Sequence, residues 1–185
     1  FNNQCPTISG QKTPTGCVAT ALAQIMYKHQ YPQHGVGSHS YVSTTHGISR
    51  SANFEATTYE WAKMLPDYST SYTTQQANAV ATLLSHLGVS CEMDYAPEGS
   101  GAYDNIALRN LTTYFDYDKG LQALPKDYLT EKYMLDCIAE DLQAGRPVYI
   151  TGSTVNKEGH AFVCDGMQSN GYLHINWGWD GYAAG

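Results

Sequence analysis

In the stretch Thr15-Gly16-Cys17-Val18-Ala19-Thr20-Ala21-Leu22-Ala23-Gln24-Ile25-Met26-Tyr27-Lys28, residues Val18, Ala21, Leu22, Ile25 and Met26 recur at i, i+3, i+4, i+7 and i+8. That spacing makes one apolar stripe and predicts a helix over 17–28. Thr15 is the expected N-cap, Lys28 and His29 occupy the last turn, and Pro32 stops the helix. The chemistry of the stretch lies at its start. A thiol at a helix N-terminus sits among unpaired backbone N–H groups at the positive end of the macrodipole, which favours thiolate over thiol. Cys17 holds that position.

Outward from this helix, residues 33–58 are rich in Gly, Ser, Thr and His with little periodicity, and read as a long surface excursion with room for short strands. Helical spacing returns with Ala77, Val80, Ala81, Leu84 and Leu87, and Gly88 is expected at the left-handed position that closes the helix. A shorter helix is predicted from Asp104 to Tyr114. Another runs from Glu131 to Ala144, with Leu135, Ile138, Ala139 and Leu142 inward and Gly145 and Pro147 ending it. After Pro147 the period changes to two. Segments 148–150, 161–165 and 172–177 are rich in β-branched and aromatic residues, and Asn170-Gly171 is a type I′ turn signal between the last two. The expectation is an α+β domain over 1–185, mainly helical to about residue 145 and an antiparallel sheet over 146–185, with a cleft where the two halves meet. No period of 20 to 50 residues recurs, so a repeat architecture is excluded. The chain starts at Phe1 without Met, and Trp177-Gly178-Trp179-Asp180-Gly181-Tyr182 reads as the opening of a hairpin, so truncation at both ends is expected.

A nucleophile needs a base within hydrogen-bond reach, and in a two-lobed cleft that base comes from the opposite half of the chain. His160 follows Cys17 by 143 residues, inside the range of about 130 to 150 by which papain-type enzymes separate nucleophile and histidine. Gly159 and Ala161 flank it and are small enough to admit a substrate backbone. The imidazole also needs a partner that fixes its tautomer. Asn176 lies 16 residues on, across the predicted hairpin, and alternation puts it on the polar face while Trp177 packs. Trp179 is expected to roof that contact. An oxyanion site would use the Cys17 N–H and a side-chain donor, for which Gln11 is the candidate by spacing. Each residue alone has an ordinary reading: Cys17 as a buried small hydrophobe, His160 as a hydrogen-bonded histidine, Asn176 as a strand-end polar group. The combination carries the argument.

Composition excludes several classes. Ten Lys and Arg, scattered singly, against 17 Asp and Glu give a formal charge of −7, without the basic footprint of a nucleic-acid binder or a polybasic membrane anchor. No apolar run approaches the ~18 to 20 residues of a spanning helix. Five cysteines, Cys5, Cys17, Cys91, Cys137 and Cys164, leave at least one thiol unpaired, and no C-x-x-C points to zinc or redox chemistry. The four besides Cys17 read as core or disulfide residues. His29, His34, His39 and His46 match no zinc spacing and read as solvated loop positions, and Asp116-Tyr117-Asp118-Lys119-Gly120 lacks the later ligands of a calcium loop and reads as a turn. No metal or other cofactor is implied. The 15 tyrosines suit either packing or a groove.

Taken together, Thr15 to Ala21, Ala23-Gln24-Ile25-Met26 and Tyr31-Pro32 resemble the nucleophile helix of the streptopain family of secreted bacterial cysteine proteases. Gly159-His160-Ala161-Phe162-Val163 with Asp165-Gly166 resembles that family's histidine segment, and Asn176-Trp177-Gly178-Trp179 its tryptophan motif. Met93-Asp94-Tyr95 before a Gly and Ser-rich loop also matches, and the short chain is most similar to interpain-like members. The resemblance implies a papain-like fold and a broad endopeptidase favouring a hydrophobic P2 residue, exported as a zymogen whose N-terminal propeptide blocks the cleft. It implies Cys17 as nucleophile and His160 as base, with Ser100, Gly101 and Gly159 bordering the substrate. Two departures stand out. Members carry an oxyanion glutamine before a Pro-Tyr-Asn segment, which Phe1-Asn2 resembles, so that glutamine would lie upstream and Gln11 would be a bystander. Members also surround the histidine with tryptophan, so Trp177 shares the orienting role with Asn176 or takes it. Competing readings are a thiol amidase or transamidase acting on cell-wall peptides and a non-catalytic surface binding module with a structural Cys17.

Overall fold

The computed structural model describes residues 1–156 and 158–179. A short hairpin, β1 (Thr7–Ile8) and β2 (Gln11–Lys12), leads into α1 (Cys17–His29). A second hairpin follows, β3 (Ser38–Val42) and β4 (Ser49–Asn53), then α2 (Thr74–Ser90), α3 (Asp104–Tyr114) and α4 (Glu131–Gln143). The described part closes with an antiparallel sheet of β5 (Val148–Ser153), β6 (Gly159–Met167) and β7 (Leu173–Asn176), with β6 in the middle.

The central element is α1, packed on α2 to one side and on β5 and β6 to the other. Its composition suits both neighbours. Ala19, Ala21 and Ala23 are buried and short, so backbones approach closely, while Leu22 and Met26 fill the space between elements. From α2 come Leu83, Leu87 and Val89, and from β6 come Ala161 and Val163, all in the same continuous core. Burying each large side chain stabilises by ~1.5–3 kcal/mol. The start of α2 is fixed by a capping box in which the Thr73 hydroxyl accepts from Gln76 N–H and the Gln76 side chain accepts from Thr73 N–H. Thr130 caps α4 in the same manner, accepting from Tyr133 N–H at 3.2 Å.

The expected helices and the terminal meander are present, and three local expectations are corrected. Gly88 does not end α2; the helix runs through it to Ser90, and the left-handed residue is Glu92. Gly88 is required because a Cβ there would lie 2.0 Å from the Tyr95 hydroxyl. The turn before β7 is not type I′, since only Gly171 of the pair has positive φ, at +87°. Gly171 N–H donates to Gln168 C=O at 2.9 Å and Gln168 N–H to Tyr172 C=O at 2.8 Å, the pattern of a three-residue loop with a left-handed last residue. Thr15 does not cap α1. The cap is Gly16, while the Thr15 hydroxyl bonds the Thr20 hydroxyl at 3.2 Å. The hairpin expected from the tail falls on Asp180 to Tyr182 and lies outside the described residues.

Candidate active site

Cys17 is the first residue of α1 and is half-buried. The backbone turns into the helix at Gly16 with φ +87°, a conformation that glycine adopts without a Cβ penalty. Space makes the same demand: a Cβ on Gly16 would sit 2.7 Å from Met93 Sδ and 2.8 Å from the Ser100 carbonyl oxygen. Those neighbours are themselves fixed. Ser100 Oγ donates to Pro14 C=O at 2.7 Å, Tyr41 Oη donates to Met93 C=O at 2.7 Å, and Asp94 and Gly101 exchange backbone hydrogen bonds. The Asp94 carboxylate in turn accepts from the Thr45 hydroxyl and backbone N–H. Together these hold the Met93 to Gly101 segment against the residue that precedes Cys17. The first helical N–H groups have no acceptor within α1, as at every helix start, so the N–H of Cys17 and its neighbours point out of the helix end beside the thiol.

On the sheet side, His160 is the second residue of β6, opposite Gly152. Its Nε2 lies 2.9 Å from the Trp177 carbonyl oxygen. A carbonyl only accepts, so the ring proton is on Nε2, and in the neutral ring Nδ1 keeps the basic lone pair. The ring is also packed between aromatics, 6.0 Å from Phe162, 6.2 Å from Trp177 and 5.1 Å from Trp179, and the two tryptophans stack on each other at 5.5 Å. Spacing alone paired His160 with the Asn176 side chain, and the structure corrects this. Asn176 Oδ1 accepts from Gly178 N–H and from Gln24 Nε2, both at 3.1 Å, so the side chain faces α1.

Cys17, Thr20 and Gln24 stand at i, i+3 and i+7, on one side of α1. The Asn176 to Gly178 turn lies along that side: Gln24 bonds Asn176, and a Cβ on Gly178 would touch Thr20 Cγ2 at 3.1 Å. The carbonyl that holds His160 is therefore mounted on the stripe of α1 that begins with Cys17. Gly178 has φ +72° and so is constrained by backbone and space alike. Across the same seam Tyr149 of β5 donates to Asp104 Oδ1 at 2.7 Å, tying the sheet to the start of α3; burial first, and this bond second, push the phenol's pKa up.

The remaining expected site residues are distributed unevenly. Gly159 and Gly101 are exposed, and Trp179 is 47% exposed beside the histidine. Ser100 is buried, with its carbonyl turned to Gly16. Ala161 is corrected from a substrate-facing residue to a core residue, 3% exposed, because alternation along β6 turns it from the His160 face into the core it shares with α1. Gln11 is an exposed residue of the first hairpin, opposite Ile8. Sequence reasoning gave no role to Gln24 or Thr20; their i+3 and i+7 spacing from Cys17 was the available signal.

All five cysteines are free thiols. Burial raises the pKa of Cys5 and Cys164 and pushes Cys91 up to about 12, so these three stay protonated. Among the described residues no three His, Cys, Asp or Glu side chains form a metal-sized cluster, and no helix is long and apolar enough to cross a membrane. His39 instead pairs with Glu92 at 3.1 Å and with the Tyr114 hydroxyl, and the Asp116 segment is a turn in which Asp118 accepts from Gly120 N–H.

The profile of the Peptidase C10 family matches residues 1–185. The thiol protease/hemagglutinin PrtT of Porphyromonas gingivalis is 36% identical over 189 residues, covering all of this chain and 21% of that protein. Streptopain of Streptococcus pyogenes is 34% identical over 183 residues, covering 95% of this chain and 46% of the relative. The chain thus spans less than half the length of either. Among solved structures, active wild-type interpain A cysteine protease of Prevotella intermedia superposes with a TM-score of 0.89 at 38% identity, over 97% of this chain and 76% of that one. A mutant prointerpain A fragment of the same organism gives 0.91 at 39% identity, over 100% of this chain and 59% of that one. The α+β arrangement is accordingly papain-like, and this chain belongs to the peptidase C10 family.

Proposed function

We propose that this chain is the peptidase domain of a secreted or cell-surface bacterial cysteine endopeptidase, with Cys17 as nucleophile and His160 as general base. One observation carries the reading. The His160 Nε2 proton is committed to the Trp177 carbonyl, so Nδ1 is the nitrogen left for proton transfer, on the side chain mounted opposite the start of α1. Nδ1 takes the thiol proton as Cys17 Sγ attacks the peptide carbonyl carbon, and the oxyanion develops beside the Cys17 N–H at the helix start. The imidazolium Nδ1–H then protonates the leaving amine, the C–N bond breaks and a thioester remains. Water, deprotonated by Nδ1, attacks the thioester and releases the acid and the free thiol. Trp179 and Trp177 shield the histidine, and Gly101 and Gly159 leave exposed backbone at the rim for an extended substrate. Ser100 acts beneath it through its hold on the chain at Pro14. A hydrophobic preference at P2 and synthesis as a zymogen with an inhibitory propeptide complete the proposal; the prointerpain relative supports the latter.

The test is labelling with an epoxysuccinyl cysteine-protease inhibitor, followed by peptide mapping. The adduct is expected on Cys17 alone, to be lost in His160→Ala, and to abolish casein hydrolysis. Cys137, the other half-exposed thiol, is the internal control, because a merely accessible thiol reacts with iodoacetamide but not with the epoxide. Casein hydrolysis that survives complete alkylation would overturn the reading.

A further inference from the structure

We propose that Gln24 is a positioning residue for the base: it fixes, from the nucleophile's own helix, the one peptide unit that orients His160. This rests on the peptidase reading above and deepens it. The donor logic leaves one assignment. Gly178 N–H can only donate, so the Asn176 atom facing it is Oδ1, and Gln24 must then present its NH2 group to that same oxygen. Asn176 accepting from the N–H two residues on closes a side-chain turn over Trp177. The Gly178 N–H and the Trp177 C=O belong to the same planar peptide, and in a trans peptide the two point in opposite directions. Anchoring the N–H on Asn176 therefore aims the carbonyl the other way, where it receives His160 Nε2–H at 2.9 Å.

Gln24 adds what the turn lacks, a tether. Without it, the Asn176 to Gly178 turn could keep its internal hydrogen bond while moving as a unit relative to α1. With it, the turn is held seven residues along the helix from Cys17, so nucleophile and base share one frame. The use of Gln24 is one-sided: its Nε2 is engaged while its buried Oε1 has no hydrogen-bond partner among the described residues. A side chain retained only for packing would be better replaced by an apolar one of the same length.

That replacement is the experiment. Gln24→Met preserves length, packing and helix propensity and removes the donor. Losing one hydrogen bond in the tether is expected to lower kcat on a peptide substrate about tenfold, with KM within about twofold because no substrate contact changes. In histidine-labelled protein, the His160 Nε2–H resonance is expected to exchange with water faster than in the parent. Asn176→Ala should do the same, and the double variant should lose no more than Asn176→Ala alone, since Gln24 acts through Asn176. If Gln24→Met fails to fold, Gln24→Glu, of equal length but without a donor at neutral pH, carries the same expectation. An unchanged resonance with kcat within twofold, or additive losses in the double variant, would overturn the assignment. If the parent hydrolyses no peptide and Gln24→Met still frees the Nε2–H, the peptidase reading fails while the role of Gln24 stands.

Discussion

Around α1 and α2 the chain is fixed by burial, whereas the end of β6 carrying His160 is fixed by a few polar bonds and stacked rings. Leu22, Met26, Leu83 and Leu87 are all at most 1% exposed. On the sheet side, β7 contributes no buried residue and α4 only Ile138. The histidine is held by one carbonyl, and that carbonyl by Asn176 and Gln24. Each half of the site thus answers to a different kind of perturbation. Moving the nucleophile means deforming the core, so stability and geometry fall together. The base can be loosened with the core intact, so activity is lost from a protein that remains folded.

The largest break in that comparison is expected at Gly16, where the buried half is under the tightest constraint. An alanine there must adopt a left-handed φ and drive its Cβ into Met93 and the Ser100 carbonyl. The thioether end can shift, but the carbonyl cannot readily move, because the Ser100 bond to Pro14 and the Asp94–Gly101 pair hold it. Strain plus overpacking costs about 4 kcal/mol, read as a fall in the urea midpoint at unchanged slope. Epoxysuccinyl labelling of Cys17 should slow in parallel. Gly16→Ala with parental stability would mean that the start of α1 is as loosely held as the His160 end of β6.

The next test sharpens the contrast with one deletion in each half. Leu87→Ala in α2 removes a side chain that is fully enclosed and should cost about 3 kcal/mol. Ile138→Ala in α4, at 7% exposure on the thin side, should cost about 2 kcal/mol or less, since water and neighbours fill the gap. Equal losses in denaturant melts would show that α4 belongs to the same cooperative core as α1 and α2.

The buried half was also the legible one. The period of Val18, Ala21, Leu22, Ile25 and Met26 announces both α1 and its core, and the change to period two after Pro147 announces the sheet, because burial writes itself into spacing. What spacing does not carry is where a polar side chain points. Asn176 sits at the right distance from His160 to be its partner, yet a single peptide unit intervenes and Trp177 supplies the acceptor from its backbone, an atom every residue has. Gly88 misled for a similar reason. Glycine before a break in apolar spacing reads as a cap, but here it answers to the hydroxyl of Tyr95, whose approach depends on the tertiary path of the chain. Gln24 looked like one more polar residue on a helix; its partner lies 152 residues away.

The smallest effect separates the halves by pH. His86 of α2 lies against Tyr59, whose hydroxyl is 3.0 Å from its Nδ1, and burial lowers its pKa from 6.5 to about 4. A histidine kept neutral in this way costs stability as pH falls. Below 6.5 the unfolded chain binds a proton that the folded chain refuses, and the gap widens until about pH 4, where the folded chain takes it too. Between pH 7 and 5 the loss from this group is about 2 kcal/mol. His86→Phe should flatten that part of the stability profile in denaturant melts run at both pH values. If instead the slope survives in His86→Phe, then groups outside the buried face of α2 govern how this fold responds to acid.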